Sequence, residues 1–114
     1  MTEIKEINVQ SPWFEYIRNK NKKIEGRLNK GMFKSFVKGD KIKIKNGDQF
    51  INAEIKKIRK YKTFEEYLSQ EGLRKTLPNI NTIKEGCDIY YKFYTKEQEK
   101  EFGILAIQIK LIKN

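Results

Sequence analysis

Histidine is absent from this sequence of 114 residues, and cysteine occurs once, at Cys87. A single cysteine cannot form an internal disulfide, and without histidine beside it no zinc site is expected. General acid–base catalysis by histidine is excluded, and so is activation of Cys87 by a neighbouring imidazole. We therefore expect Cys87 to be a buried packing residue, and we expect no metal and no cofactor.

Long apolar runs are missing as well, since the chain has no stretch of about 18 apolar residues that could span a membrane. The N-terminal residues MTEIKEINVQ lack the basic segment and following apolar run of a signal peptide. These absences favour a cytoplasmic or nuclear protein without a membrane partner. The length predicts one domain over residues 1–114, and nothing in the sequence indicates an oligomeric state.

Positive charge, by contrast, is abundant, with 25 Lys and Arg residues against 15 Asp and Glu residues. The excess is segregated: residues 18–62 carry 16 basic and 4 acidic residues, whereas residues 63–114 carry eight of each. This basic segment, residues 18–62, favours an anionic partner such as nucleic acid. The alternative is a plain interaction module whose lysine content reflects only the coding bias of an AT-rich genome.

Alternation of apolar and charged residues predicts several strands. Residues 3–9 and 22–28 are candidate strands, and residues 41–45 alternate Lys with Ile before the turn signal Asn46-Gly47. The returning strand runs to residue 61 and breaks its alternation, which predicts a bulge at Lys56-Lys57. A buried strand over residues 103–112 closes the chain.

Helix signals lie between these strands. Ser11 is the predicted N-cap of a first helix, with Pro12 at its first position. Thr63, Thr82 and Thr95 each precede a Glu or Gln by three positions, the pattern of a capping box. Because the final strand follows the helical block and returns to the sheet, we expect an α+β fold.

The motif Lys-x-x-Glu-x-Arg occupies Lys22, Glu25 and Arg27. On a strand, Glu25 and Arg27 share a face because they are two positions apart, and Lys22 reaches that face from the preceding turn. A carboxylate between two cations is held ionised and can orient donors toward a polar ligand. Such a triple also arises by chance on a solvated strand edge, since 35% of the residues are charged.

Four blocks of sequence occur in the order typical of one family. They are this motif, then VKGDKI, then YKTFEEYLSQEGL leading to LP, and finally IYYKFY followed by GILAIQI. Over about residues 11–112 the chain resembles an ASCH domain of the PUA-like superfamily. The resemblance implies a small β-barrel flanked by helices, with the motif on the wall of a cleft. The family motif usually has Gly two positions before its Lys, whereas here that position is Lys20, which predicts a different local turn.

The resemblance also implies a ligand, namely RNA, a nucleotide or a modified base. Lys22, Glu25, Arg27 and Glu71 would form the polar wall of the cleft, and Trp13 is the candidate for stacking on a base. Some small bacterial relatives are amidohydrolases of N(4)-acetylcytidine with a catalytic Lys, Thr and Glu.

Two members of that catalytic set correspond to residues of this chain, Lys22 and Glu71, whereas Glu25 replaces the Thr. In an enzyme, Lys22 would activate the attacking group and Glu71 would relay protons. Glu25 cannot supply a hydroxyl, and we expect its charge to keep Lys22 protonated and so a poor base. A binding module is therefore favoured over an amidohydrolase.

Overall fold

The structure of the protein is a computed structural model that describes residues 4–112. Within them, five strands form one sheet: β1 (Lys5–Asn8), β2 (Ile24–Leu28), β3 (Lys41–Asn46), β4 (Gln49–Tyr61) and β5 (Ile104–Leu111). The strand order is β1-β3-β4-β5-β2, with β1 parallel to β3 and every other pair antiparallel. The sheet curls into a half-barrel with helices beside it, so the predicted α+β class is confirmed.

The predicted strands are present with small shifts of their ends. Residue 3 of the first predicted strand lies outside the described residues, and β2 begins at Ile24 rather than at residue 22. Asn46 and Gln49 form the last pair of the β3–β4 hairpin, so the turn residues are Gly47 and Asp48, one position after the predicted Asn46-Gly47. The register of β4 against β5 shifts between Ile55 and Lys57, which confirms the predicted bulge.

The helices of the described residues are α1 (Trp13–Arg18), α2 (Phe64–Glu71), α3 (Leu73–Thr76), α4 (Ile83–Tyr91) and α5 (Lys96–Phe102), with a 3₁₀ turn at Gly31–Ser35. Thr63, Thr82 and Thr95 each accept from the predicted backbone N–H, which confirms them as N-caps. Only Thr95 and Gln98 complete the reciprocal box.

The other two predicted boxes differ in the carboxylate partner. Glu66 accepts from the backbone N–H of Lys62 rather than from that of Thr63, and Glu85 accepts from the hydroxyl of Thr82. These helices therefore keep the threonine cap but lack the return bond from the third residue to the cap backbone.

The predicted first helix is present, but its predicted cap is wrong. Pro12, and not Ser11, is the N-cap of α1, and no side chain caps this end. The Ser11 hydroxyl donates to the Glu15 carboxylate at 3.0 Å and accepts from Asn46 at 2.9 Å. Because both bonds go to side chains, the hydroxyl is not used as a cap.

Two hydrophobic cores lie on opposite faces of the sheet. Leu105, Ile107 and Ile109 of β5 belong to the core that includes α1, whereas Ile104 and Ala106 belong to the core that includes α2 and α4. Alternation along β5 thus buries both of its faces. Cys87 is buried in the second core, as expected.

Candidate functional site

A cavity of about 200 Å³ opens beside the two edge strands of the sheet, β1 and β2. Its polar wall consists of Lys22, Glu25 and Arg27, and its aromatic side consists of Trp13, Tyr90, Phe93 and Tyr94. We call this cavity the seam pocket. Arg27 bridges the two edges, because its Nη2 atom donates to the backbone oxygen of Asn8 at 2.5 Å. The pocket therefore lies where the half-barrel is left open.

Lys22 is almost fully buried, with 2% of its surface exposed. Its ammonium donates to the backbone oxygen of Ile24 at 2.6 Å and to the backbone oxygen of Thr76, and it lies 3.4 Å from Glu25 Oε1. An ammonium has three donor hydrogens, so these partners occupy all of them. Lys22 thus ties the start of β2 to the end of α3.

The Glu25 carboxylate sits between two cations, as the motif predicts. Its Oε2 atom accepts from Arg27 Nε at 2.8 Å, while Oε1 faces Lys22. The Arg27 guanidinium also lies over the ring of Phe33, 5.0 Å from its centre. Each carboxylate oxygen has a second lone pair, so Glu25 retains the capacity to accept from a ligand.

The environment moves the pKa of Lys22 and of Glu25 in the same direction. Burial lowers the pKa of Lys22 below its ordinary value and outweighs the opposite effect of Glu25. Glu25 works to raise the pKa of Lys22, as expected from its charge, but burial has the larger effect. Burial works to raise the pKa of Glu25, but Arg27 and Lys22 together outweigh it and hold this pKa below the ordinary value. Glu25 is thus an ionised acceptor at neutral pH.

The predicted fourth member of the wall, Glu71, is elsewhere. Its carboxylate accepts two bonds of 2.6 Å from Arg59 and a third from the hydroxyl of Tyr61. Arg59 pairs with Ala106, whose side chain belongs to the core of α2 and α4. Gly26 of β2 pairs with the same Ala106, so Gly26 and Arg59 share a face of the sheet. Glu25 is the strand neighbour of Gly26, so its side chain points to the opposite face. Glu71 is therefore not among the residues that line the seam pocket, contrary to the expected polar wall.

Trp13 lies in the seam pocket and packs, partly buried, against both cores. Tyr90, Phe93 and Tyr94 also line the pocket. Tyr90 and Tyr94 are aromatics that the sequence offers as core residues able to stack on a base, whereas Phe93 is the lining residue that the sequence did not single out. Tyr90 and Tyr94 are four positions apart, a spacing that puts two side chains on one side of a helical segment, and this signal was available. Phe93 is 54% exposed, at the mouth of the pocket.

Lys20 adopts a left-handed backbone conformation, with a φ of 70°. This is the conformation that the family's usual glycine permits at lower cost. Lys20 thus holds a positive φ that a glycine would hold with less strain, and the expectation of a different local turn stays a prediction.

Two negative findings concern the described residues alone. In residues 4–112, no helix is long and apolar enough to cross a membrane. The same residues contain no group of three or more acidic or cysteine side chains placed to hold a metal ion.

Comparison with known proteins gives a consistent result. A family model described as ASCH domain matches residues 7–113. The crystal structure of hypothetical protein PH0355 is 36% identical, with a TM-score of 0.90 over 96% of this chain and 100% of that chain. The solution structure of protein PF0455 from Pyrococcus furiosus is also 36% identical, with a TM-score of 0.82 over 98% of this chain and 100% of that chain. No curated protein gave a significant match.

Proposed function

This chain belongs to the ASCH domain family, and from that premise we propose that it binds RNA or another nucleobase-containing ligand, with one base held in the seam pocket. The observation that carries the proposal is a rigid charged wall facing aromatic side chains. Glu25 is fixed between Lys22 and Arg27 on one side of the cavity, and Trp13 and Phe93 lie on its other sides.

The size and lining of the pocket support a single base as the occupant. Pockets for drug-sized ligands span roughly 300–1,000 Å³, and the seam pocket, at about 200 Å³, is smaller. Aromatic side chains stack on the faces of bases, and a few fixed polar groups then orient the base edge. A sugar and phosphate would remain outside, where the basic segment supplies positive charge.

Within the proposed site, Lys22 acts as a positioning residue and Glu25 and Arg27 as ligand-facing residues. Lys22 is saturated by Ile24, Thr76 and Glu25, so it has no hydrogen to give to a ligand. Glu25 accepts a donor such as an exocyclic amine, and Arg27 limits the pocket at the β1 edge.

Two exposed phenylalanines provide a matched test. Phe93 borders the pocket with 54% of its surface exposed, and Phe50, with 49% exposed, is not among the pocket residues. Phe93→Ala is expected to weaken nucleoside binding by ~1–3 kcal/mol, the usual contribution of a stacked base. Phe50→Ala is expected to leave the affinity unchanged, and calorimetric titration measures both. Equal effects of the two substitutions would contradict binding in the seam pocket.

One observation favours a second candidate, an amidohydrolase of an acylated nucleoside. The lowered pKa of Lys22, caused by burial, moves its amine toward the neutral form that a base requires. Against it, the hydrogens of Lys22 are occupied, and Glu71 is bonded to Arg59 on the other sheet face. Binding without hydrolysis is therefore the better-supported function.

Incubation with N(4)-acetylcytidine separates the two candidates. We expect slow or absent release of cytidine, because Glu25 replaces the hydroxyl and because loss of one member of a catalytic set removes most of the rate. The Lys22→Ala variant serves as the control. Robust turnover by the native protein that disappears in Lys22→Ala would establish the enzyme and overturn this ranking.

A further inference from the structure

The outer edge of β2 carries an unpaired backbone group inside the seam pocket. The backbone oxygen of Lys23 accepts from the N–H of Ile109, and the N–H of Asn29 donates to the backbone oxygen of Gly103, each at 3.0 Å. The C=O of Lys23 and the N–H of Asn29 therefore point toward β5. Along an antiparallel ladder the direction of the backbone groups alternates from one residue to the next. The N–H and C=O groups of Gly26 therefore point away from β5, toward the free edge.

Neighbouring carbonyls on this edge already have donors. The Ile24 oxygen accepts from the Lys22 ammonium, and the Leu28 oxygen accepts from the backbone N–H of Lys30 at 2.9 Å. Gly26 faces Ala106 at a non-hydrogen-bonded position of the ladder, and among residues 4–112 no turn, loop or side-chain bond reaches its N–H or its C=O. Gly26 is nonetheless buried and lines the seam pocket. Buried backbone groups are rarely left unpaired, so this pair is a site for an external partner.

A glycine is required at this position by packing as well. A Cβ atom on Gly26 would lie 2.6 Å from the ring of Tyr67, so no side chain can point to that side. Tyr67 itself is held in place by a 3.0 Å bond between its hydroxyl and that of Tyr90. The backbone of Gly26 is thus presented to the pocket by a rigid, buried support.

We infer that Gly26 reads the edge of the bound base with its own N–H and C=O, and that together with Glu25 it selects an amino-bearing base over uracil. This inference rests on the proposed function. The N–H of Gly26 needs an acceptor, whereas its C=O and the ionised Glu25 carboxylate both need donors. Cytosine and adenine carry an amine with two hydrogens beside a ring nitrogen that accepts. Uracil offers only one N–H on the same edge, between two carbonyl oxygens that face the carboxylate.

The experiment is a titration of the ¹⁵N-labelled full chain with nucleosides, followed by amide NMR spectra. Cytidine against uridine and adenosine against inosine are matched pairs in which a carbonyl replaces the amine, and the two pairs also separate a pyrimidine from a purine ligand. We expect the Gly26 amide resonance to shift with the amino-bearing member. We expect the carbonyl member to bind roughly five- to a hundredfold more weakly, as for an unpaired buried polar group.

An isosteric analogue tests the Gly26 N–H directly. In 3-deazacytidine a C–H replaces the accepting ring nitrogen, so the Gly26 shift is expected to be lost and the affinity to fall by a similar factor. Substitution of Gly26 is not needed, which avoids the clash with Tyr67.

The outcomes separate the two proposals. If the indole N–H of Trp13 shifts on titration but the Gly26 amide does not, the inference is overturned and the proposed function stands. Equal affinity within both pairs, cytidine with uridine and adenosine with inosine, overturns the inference as well. If no pocket resonance responds to any nucleoside or to RNA, both proposals fail.

Discussion

At the scale of single residues, Lys22 has the least usual environment of the candidate site residues. A buried lysine costs free energy unless its charge is paired and its hydrogens are bonded. Two backbone oxygens and Glu25 provide those partners, and they belong to β2 and to the end of α3. Because these partners occupy the ammonium hydrogens of Lys22, the same bonds that stabilise the buried lysine leave it no hydrogen to donate to a ligand. Lys22, the first residue of the motif, therefore lines the pocket with its hydrogens directed to protein acceptors, whereas the Glu25 carboxylate keeps free lone pairs toward the pocket.

The first prediction at this scale concerns Glu25→Gln. Removing the carboxylate charge leaves the buried Lys22 and the half-buried Arg27 without their counter-ion, so the free energy of unfolding is expected to fall by about 3 kcal/mol near neutral pH. The pKa of Glu25 is lowered in the folded state, so its stabilising contribution is present above its ordinary value near 4.5 and is lost as pH falls through the folded pKa.

Urea unfolding at several pH values measures this effect. The difference in stability between the native protein and Glu25→Gln is expected to be constant above pH ~5 and to shrink as the solution is acidified. Other carboxylates titrate in both proteins and cancel in the difference. A difference that is independent of pH down to strong acid would show that Glu25 is not held ionised by its neighbours.

At the scale of secondary-structure elements, local patterns predicted most of the architecture. The alternation around Ile42 and Ile44, the Asn46-Gly47 turn and the threonine caps each act within a few residues, so the sequence reports them directly. The partner of Glu71 depends instead on which sheet face α2 covers, and the bulge after Ile55 helps to determine the register of Arg59. No local pattern carries that information.

Pairing between Glu71 and Arg59 anchors the end of α2 to β4, and the second prediction tests this role. Glu71 has only 5% of its side chain exposed, so Glu71→Gln is expected to lower the free energy of unfolding by about 1.5–3 kcal/mol. Glu65→Gln, an exposed position on the same helix, is the control, with an expected change within about 0.5 kcal/mol.

Nucleoside affinity distinguishes this structural role from a catalytic or binding one. Because Glu71 lies on the sheet face opposite Glu25, the folded Glu71→Gln variant is expected to bind nucleosides as tightly as the native protein. Calorimetry at a temperature where both proteins are fully folded makes the comparison. A large loss of affinity without loss of stability would return Glu71 to the ligand site.

At the scale of the whole molecule, charge is distributed unevenly along the chain, with a net charge of +12 in residues 18–62 and of zero in residues 63–114. Lys22 is buried and Arg59 pairs with Glu71, so these two charges are not free to meet a phosphate. The exposed lysines of the segment remain. The interpretation of residues 1–114 as one domain stays a prediction.

The third prediction is that affinity for single-stranded RNA falls as salt rises, because exposed lysines displace counter-ions from phosphates. Each phosphate contact is expected to steepen the log–log salt dependence by roughly 0.7. Lys34 is exposed in the 3₁₀ turn and follows Phe33, the residue whose ring lies against the Arg27 guanidinium. Lys34 is therefore placed to contact a phosphate near the pocket, and Lys34→Gln is expected to reduce the slope by that amount.

Lys84→Gln is the control, since Lys84 lies outside the basic segment and is fully exposed on α4, beside Asp88. It is expected to leave the slope unchanged. An affinity that does not vary between low and physiological salt would show that the basic segment reflects composition alone.

The central claim is that a base enters the seam pocket, and one measurement addresses it most directly. Trp13 is the only tryptophan in the chain and lies in that pocket, so its fluorescence reports on the site without a label. Titration with single-stranded RNA is expected to change the emission of Trp13 saturably, with the same midpoint as binding measured by calorimetry. If RNA binds by calorimetry while the emission of Trp13 stays constant to saturation, the ligand lies elsewhere and the account is contradicted.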